Sequence, residues 1–237
     1  MVAVPSNRSV SVVLPAHNEA VNIASVISKC VSVCSKLFSD FEVLAVDDGS
    51  SDGTDALVLE ISRKDPRIKL VTHPANRGYG AAIRSGFAAS GKEWIFFTDS
   101  DGQFDPSEMV DFLPLLDKAD IVAGYRLKRR DNFYRRLMGR LYTYLVDLLF
   151  GTGVKDINCA FKFIRADILK GMTLKSEGAL INAEIISLAR RQNLAIVQKG
   201  VHHYPRLSGK QSGGTTRVIL RALKEYANLF IRLKKSL

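Results

Sequence analysis

Four short apolar runs in the first half of the chain each end at a cluster of acidic, polar or glycine residues, and this repetition constrains the fold most. Val10 to Leu14 leads into Pro15-Ala16-His17-Asn18-Glu19, and Phe41 to Val46 into Asp47-Asp48-Gly49-Ser50-Ser51-Asp52-Gly53-Thr54. Ile68 to Thr72 leads toward Asn76-Arg77-Gly78-Tyr79-Gly80, and Trp94 to Thr98 into Asp99-Ser100-Asp101-Gly102-Gln103. Runs that are apolar throughout imply strands covered on both faces, hence a mostly parallel sheet. Parallel strands need crossovers, which helical patterns supply over Val21 to Phe38, Asp55 to Lys64, Gly80 to Ser90 and Ser107 to Leu116. The first of these places Ile23, Val26, Ile27, Cys30, Val33, Cys34 and Leu37 on one stripe. With a further strand at Ile121 to Gly124, the expected class is α/β: a Rossmann-like, mostly parallel central sheet flanked by helices. Ligands of such sheets bind beyond the carboxyl ends of the strands, where all four clusters fall.

The second half is less regular. Asn132 to Phe150 reads as a basic and aromatic helix, Ala160 to Ile164 as a strand, Asn182 to Arg191 as a helix and Ala195 to Val201 as a strand. A polar, glycine-rich stretch follows from Leu207 to Thr216, then a basic amphipathic helix from Arg217 to Leu237. No repeat or long linker demands a second domain, so residues 1–237 are expected to form one. Cys30, Cys34 and Cys159 are an odd set without metal-ligand spacing, which suits a reduced, cytoplasmic protein. The opening Met1 to Ser6 lacks the features of a secretory signal, and charges interrupt every apolar stretch before the roughly 20 residues a membrane span needs. A soluble or peripheral protein is therefore expected. The formal charge of +10 favours polyanions: nucleic acid, anionic lipid or phosphorylated substrate. Nucleic acid ranks last because no recognisable reading motif is present.

Asp99 and Asp101 flank one residue at a strand end, so one or both can hold a hard divalent cation while diphosphate oxygens fill other positions. Asp47 and Asp48 are adjacent carboxylates that repel unless donors compensate, and a nucleoside offers base N–H groups and ribose hydroxyls. Asp52 and Thr54 are read as helix caps. Asn76 to Gly80, with Asn76 and Gly78, offers a helix N-terminus whose free N–H groups face a nucleotide, or else its glycines only allow close packing. Neither the phosphate-binding P-loop spacing nor the G-x-G-x-x-G fingerprint is present, which removes the main support for kinase and dehydrogenase readings.

With these segments in place, Ser9 to about Ser212 resembles the inverting family-two glycosyltransferases of the GT-A fold, particularly the polyprenyl-phosphate (dolichol-phosphate) mannose or glucose synthase branch. The resemblance implies that Pro15, His17 and Glu19 cradle the nucleoside with Asp47 and Asp48, and that Asp99 and Asp101 hold Mg²⁺ or Mn²⁺ on the diphosphate, with Ser100 and Gln103 beside them. It assigns 9–125 to the nucleotide-sugar half, 126–216 to the acceptor side and 217–237 to the basic helix. Gly124-Tyr125-Arg126 and Asp156-Ile157-Asn158-Cys159-Ala160-Phe161-Lys162 resemble segments of the phosphate-acceptor branch, Ala160 departing from the usual glycine. Asn182-Ala183-Glu184 and His203-Tyr204-Pro205-Arg206, with Gly209 and Ser212, look like its closing motifs. The Q-x-x-R-W motif of processive polysaccharide synthases is absent.

A phosphate acceptor also has a physical argument. A phosphate monoester, with a second pKa of about 6, is already largely anionic near neutral pH and needs cationic positioning rather than a base. Arg126 and Arg140 are the expected phosphate contacts, within a basic run that includes Arg129, Arg130, Arg135 and Arg136. His203 and Arg206 are expected to close over the diphosphate, His203 being alternatively a packed strand-end residue. Phe133, Leu137, Leu141, Tyr144, Leu145 and Leu148 form an apolar stripe that suits a membrane interface, the core or a dimer contact. Arg221, Lys224, Arg232, Lys234 and Lys235 add attraction to anionic headgroups. The expected partners are thus a GDP-mannose or UDP-glucose type donor, a polyprenyl phosphate acceptor, and a membrane surface, membrane protein or second copy. The expected location is the cytoplasmic face of the membrane. The rivals are a same-fold enzyme acting on a hydroxyl, with Glu184 the nearest general base, and a silent nucleotide-sugar-binding scaffold.

Overall fold

The computed structural model describes residues 6–127 and 133–206, with residues 225, 226, 228, 229, 231 and 232 of the terminal segment. The elements are β1 (Ser6–Ala16), α1 (Ile23–Leu37), β2 (Phe38–Asp47), α2 (Thr54–Lys64), β3 (Ile68–Thr72), α3 (Tyr79–Ala89) and β4 (Trp94–Thr98). They continue with β5 (Ile121–Arg126), α4 (Phe133–Phe150), β6 (Phe161–Arg165), α5 (Ala166–Lys170), α6 (Ile181–Arg191) and β7 (Ile196–Val201). Among the described residues the strands form one sheet in the order β3-β2-β1-β4-β6-β5-β7. Only β6 runs antiparallel, to both β4 and β5, so the remaining strands point one way and share a carboxyl edge. In the register, Ala16 pairs with Asp47 and Asp47 with Thr72, which aligns the first strand ends on that edge.

The buried side of α1 is the expected stripe, with Val33 only partly covered. One crossover differs. Ser107 to Leu116 is not an α-helix but two 3-10 turns, Pro106–Asp111 and Leu113–Leu115. Pro114 lacks the N–H an α-helix needs there, and its ring clashes with the carbonyl four residues back. Asp105 caps the first turn by accepting from the Ser107 N–H at 3.0 Å.

Alternation on β6 divides its residues between the two faces of the sheet. Phe161 and Phe163 turn to one face, where both ring centroids lie 4.7 Å from that of Phe96, and Phe112 packs 4.9 Å from Phe161. Lys162 turns to the other face, and its Nζ lies 5.4 Å from the ring centroid of Phe97. An aromatic cluster thus holds the antiparallel strand in the sheet, while a buried amine is carried beneath the carboxyl edge of β4.

Gly80 sits where α3 meets the segment before α6. A Cβ there would lie 2.6 Å from the Ser176 carbonyl oxygen and 2.7 Å from that of Gly178. Gly80→Ala is therefore expected to destabilise the protein by about 1–3 kcal/mol through forced backbone separation, measurable as a shift in the urea midpoint.

Candidate active site

The loops at the carboxyl edge are knitted to one another by short polar contacts. Asn18, at φ 57°, donates its N–H to Ser50 Oγ at 2.9 Å and accepts from the Ser51 N–H at 2.9 Å. Asp52 and Thr54 do more than cap a helix, whose N-cap position is taken by Gly53. Asp52 accepts from the Ala20 N–H at 3.0 Å, and Thr54 Oγ1 from the Glu19 N–H at 2.9 Å. The two strand-end loops are thereby tied together, each of these N–H groups finding a side-chain partner in the neighbouring loop.

The paired aspartates after β2 have different surroundings. Asp48 is consumed by the protein: Oδ1 accepts from His73 Nδ1 at 2.6 Å and the Arg77 N–H at 2.9 Å, and Oδ2 from the Gly78 N–H at 2.7 Å. A carboxylate only accepts, so His73 donates through Nδ1, while its Nε2 lies 2.8 Å from the Ser85 hydroxyl. Asp47 is as buried, yet only Oδ2 has a protein donor, the Ser50 N–H at 3.1 Å. Its Oδ1 is buried and, among the described residues, has no hydrogen-bond partner. A buried, unmatched acceptor is costly and calls for a donor. Asp47 is therefore the one of the pair with capacity left for a nucleoside N–H or hydroxyl.

The expectation of free amides at Asn76 to Gly80 is not met. The N–H groups of Arg77 and Gly78 bind Asp48, and those of Gly80 and Ala81 bind the Glu177 carbonyl at 2.7 and 3.4 Å. The first turn of a helix leaves N–H groups that burial forces into pairing, and here the protein supplies the acceptors. Asn76 is exposed at the rim.

After β4, Ser100 turns its hydroxyl onto the Pro15 carbonyl at 2.7 Å, bracing the loop against β1. Burial, and then the neighbouring Asp101, raise the Asp99 carboxyl to about 7; burial also raises Asp101. Tyr79 donates its hydroxyl to Asp99 Oδ1 at 2.9 Å. Arg206, from the segment after β7, reaches Glu19 at 2.5 Å and Asp101 at 3.7 Å, joining the ends of β1, β4 and β7. Gln103 anchors the same segment, its Nε2 donating to the Tyr204 carbonyl at 3.0 Å and its carbonyl accepting from the Tyr204 N–H at 2.8 Å. Two carboxylates raised by burial, Asp99 further by Asp101 and Asp101 further by Glu19, are short of positive charge, which fits a divalent cation. Among the described residues no three acidic, His or Cys side chains gather into a metal cage. Mg²⁺ commonly takes only one or two protein carboxylates and completes its shell with phosphate oxygens and water, so Asp99 and Asp101 suffice chemically.

The remaining expected residues are dispersed. His17 is exposed, with Nδ1 3.0 Å from the Asp48 carbonyl. His203 is buried with its ring edge-on to Phe104, centroids 5.3 Å apart, in the packed strand-end position. Arg126 forms a two-pronged ion pair with Asp156, at 2.6 and 2.7 Å, and its charge also favours ionised Asp99. Arg140 lies exposed on α4. Glu184 is fully buried and both oxygens are occupied, by the N–H groups of Lys175 and Ser176 and by Arg232. It is thus unsuited to act as a general base, and Arg232 is turned to Glu184 rather than to a headgroup. The stripe on α4 faces away from the core: Leu148 is 67% and Tyr144 63% exposed, with Leu137, Leu141 and Leu145 also exposed and Val146 turned inward. Arg129, Arg130, Gly209, Ser212, Arg221, Lys224, Lys234 and Lys235 lie outside the described residues, as do the side chains of Phe133, Arg135 and Arg136.

Sequence reasoning missed His73 and Tyr79. His73 directly follows β3, so its place at a strand end was an available signal; Tyr79 lay inside a segment read for its glycines.

Residues 11–172 match Glycosyl transferase family 2. Undecaprenyl-phosphate 4-deoxy-4-formamido-L-arabinose transferase of Enterobacter sp. (strain 638) is 30% identical over 222 residues, covering 92% of this chain and 67% of that protein. Its namesake from Edwardsiella ictaluri (strain 93-146) is 28% identical over 214 residues, covering 89% of this chain and 64% of that protein. The chain thus spans about two thirds of the length of these curated relatives. Glucosyl-3-phosphoglycerate synthase from Mycobacterium tuberculosis, in complex with Mn²⁺, UDP and glucosyl-3-phosphoglycerate, shares the fold: the TM-score is 0.69 at 23% identity, over 92% of this chain and 79% of that chain.

Proposed function

This chain belongs to glycosyl transferase family 2, and from that premise we propose that it moves a hexose from a nucleotide diphosphate sugar onto a polyprenyl phosphate at a membrane surface. The observation that carries the reading is the convergence of Glu19, Asp99, Asp101 and Arg206 at one edge of the sheet, the edge that also carries the unmatched oxygen of Asp47. In this reading residues 9–125 hold the donor and 126–216 face the acceptor, within one domain. Asp47 accepts from the nucleoside, and Pro15, His17, Asn76 and Gly78 border it. Asp99 and Asp101 hold Mg²⁺ or Mn²⁺, which when bound neutralises charge on the diphosphate. Arg206, already beside Asp101, turns to the same diphosphate, and His203 supports its loop.

An acceptor phosphate oxygen attacks the anomeric carbon from the face opposite the diphosphate. The bond from that carbon to the diphosphate oxygen breaks, its electron pair leaves with the diphosphate, and configuration inverts. The acceptor oxygen is already anionic, so no base is required. Arg126 and Arg140 attract the acceptor phosphate. The names of the curated relatives support a polyprenyl phosphate, and the exposed leucines of α4 support contact with a bilayer interface. Among the described residues no helix is long and apolar enough to cross a membrane. Attachment at the cytoplasmic face of the membrane, through the exposed α4 leucines, is the proposed arrangement.

The test has two stages. GDP-mannose and UDP-glucose, each with Mn²⁺ or Mg²⁺, are first scored for thermal stabilisation. A donor at 100-fold its Kd stabilises by about 2.7 kcal/mol, an expected Tm rise of roughly 5–10 °C. Radiolabelled donor is then offered polyprenyl phosphate in vesicles. Transfer to 3-phosphoglycerate or another soluble hydroxyl compound, with none to the lipid, would overturn the acceptor. Donor binding without metal-dependent turnover on any acceptor would instead mark a silent scaffold.

A further inference from the structure

His73 follows β3 at the carboxyl edge, is only 7% exposed, and is held from three directions. Its backbone N–H donates to the Asp47 carbonyl at 2.9 Å, which ties it to the end of β2. Its Nδ1 donates to Asp48 Oδ1 at 2.6 Å, and its Nε2 pairs with the hydroxyl of Ser85, on α3, at 2.8 Å. A partner on each ring nitrogen fixes the plane of the imidazole, and the carboxylate fixes a proton on Nδ1.

Asp48 passes this anchorage on. Its oxygens also receive the N–H groups of Arg77, at 2.9 Å, and Gly78, at 2.7 Å, so the segment before α3 hangs on the same carboxylate. That segment is packed closely on its neighbour. A Cβ on Gly49, at φ 69°, would lie 2.5 Å from the Ala75 carbonyl carbon and 2.7 Å from the Asn76 nitrogen. Residues 75–78 are thereby pressed onto the loop that begins at Asp47, the holder of the unmatched acceptor. Adjacent carboxylates repel unless donors compensate, and the three donors on Asp48 supply that compensation.

We propose that Ser85, His73 and Asp48 form a latch that sets residues 75–78 against the Asp47 loop and so shapes the wall of the pocket for the donor's nucleoside. His73 is a positioning residue that acts through Asp48, and Ser85 acts through His73. The inference rests on the reading of this edge as the donor site, and it extends that site to the end of β3 and to α3. Without the latch, the segment has to be ordered at the moment of binding, so the cost falls on nucleotide affinity.

Binding of UDP and of GDP, each with Mg²⁺, is measured by isothermal titration calorimetry at a temperature where thermal unfolding shows every protein folded. His73→Phe keeps a buried ring and deletes both side-chain hydrogen bonds. It is expected to bind the nucleotide that wild type prefers roughly 10-fold more weakly, the scale of one hydrogen bond to a charged group. His73→Asn places an amide N–H where Nδ1 stood but does not reach Ser85, and Ser85→Ala cuts the same link from the other side. Each is expected to lose only about threefold, and their double variant no more, because both remove one contact. A latch serving stability alone would lower the urea midpoint of these variants and leave the affinity of the folded protein unchanged. Affinity within about twofold of wild type in folded His73→Phe, or His73→Asn as weak as His73→Phe, would overturn the latch. If His73→Phe does not fold, wild-type affinity in both His73→Asn and Ser85→Ala would overturn it. Wild-type protein that binds neither nucleotide would overturn the donor-site reading itself.

Discussion

Asp101→Ala is expected to lower the rate of sugar transfer by about 10³-fold while the protein stays folded, the magnitude typical of losing one charge-stabilising group at a reacting centre. The variant removes a carboxylate that burial and Glu19 already disfavour, so the fold should gain rather than lose stability. The sign follows from linkage. The Asp99 carboxyl stands at about 7 in the folded chain, against about 3.9 when unfolded. Between those values the folded state binds more protons, so its stability falls as pH rises through the window. In metal-free buffer the wild-type Tm should therefore drop between pH 5 and pH 8 by more than that of Asp101→Ala, in which Asp99 lacks its repelling neighbour. Thermal unfolding at the two pH values, beside transfer assays at saturating donor and metal, measures both effects. Full activity in folded Asp101→Ala would remove Asp101 from the site, and equal pH sensitivity of the two proteins would remove the repulsion.

Glu184→Ala is expected to have the opposite character: a loss of about 3–5 kcal/mol in stability, the scale for deleting one partner of a buried ion pair. The fully buried carboxylate holds the N–H groups of Lys175 and Ser176 and the guanidinium of Arg232, and the substitution leaves them without it. The adjoining Glu177 carbonyl receives the first amides of α3, so the damage should spread to the donor side. Urea unfolding gives the stability change. If Glu184 were instead the base of a hydroxyl-transferring enzyme, Glu184→Gln would abolish turnover with little change in the urea midpoint. We expect the Gln variant to show the reverse: a lower midpoint and retained turnover at low temperature.

The strand ends of the first half were legible because the physics there is local. A fully buried parallel strand must be apolar throughout, so the first polar residue marks the carboxyl edge, and helical periodicity marks the return. The match of Asp47, Asp99 and Glu19 to that edge needed only this alternation. Ser107 to Leu116 misled because its apolar spacing is helical while Pro114 forbids the α-helix. Asp48 was read with Asp47 because adjacent residues look alike in a sequence, yet His73 and two backbone amides occupy the first and leave an oxygen of the second unmatched.

The apolar stripe of α4 was likewise visible as a stripe, but periodicity says only that a face is apolar, and the packing of Val146 inward decides that the stripe faces out. Arg232 and Glu184 show the same limit. Each was a charged residue with a plausible ligand, and only their meeting across 48 positions of chain disclosed that they satisfy one another. What the sequence by itself determined is the family, the sheet and the edge on which the chemistry lies, since backbone pairing and burial write themselves into spacing. Which carboxylates at that edge are already committed, and which retain capacity for a ligand, was decided by tertiary structure alone, because a hydrogen bond depends on distances of a few tenths of an ångström between groups far apart in the chain.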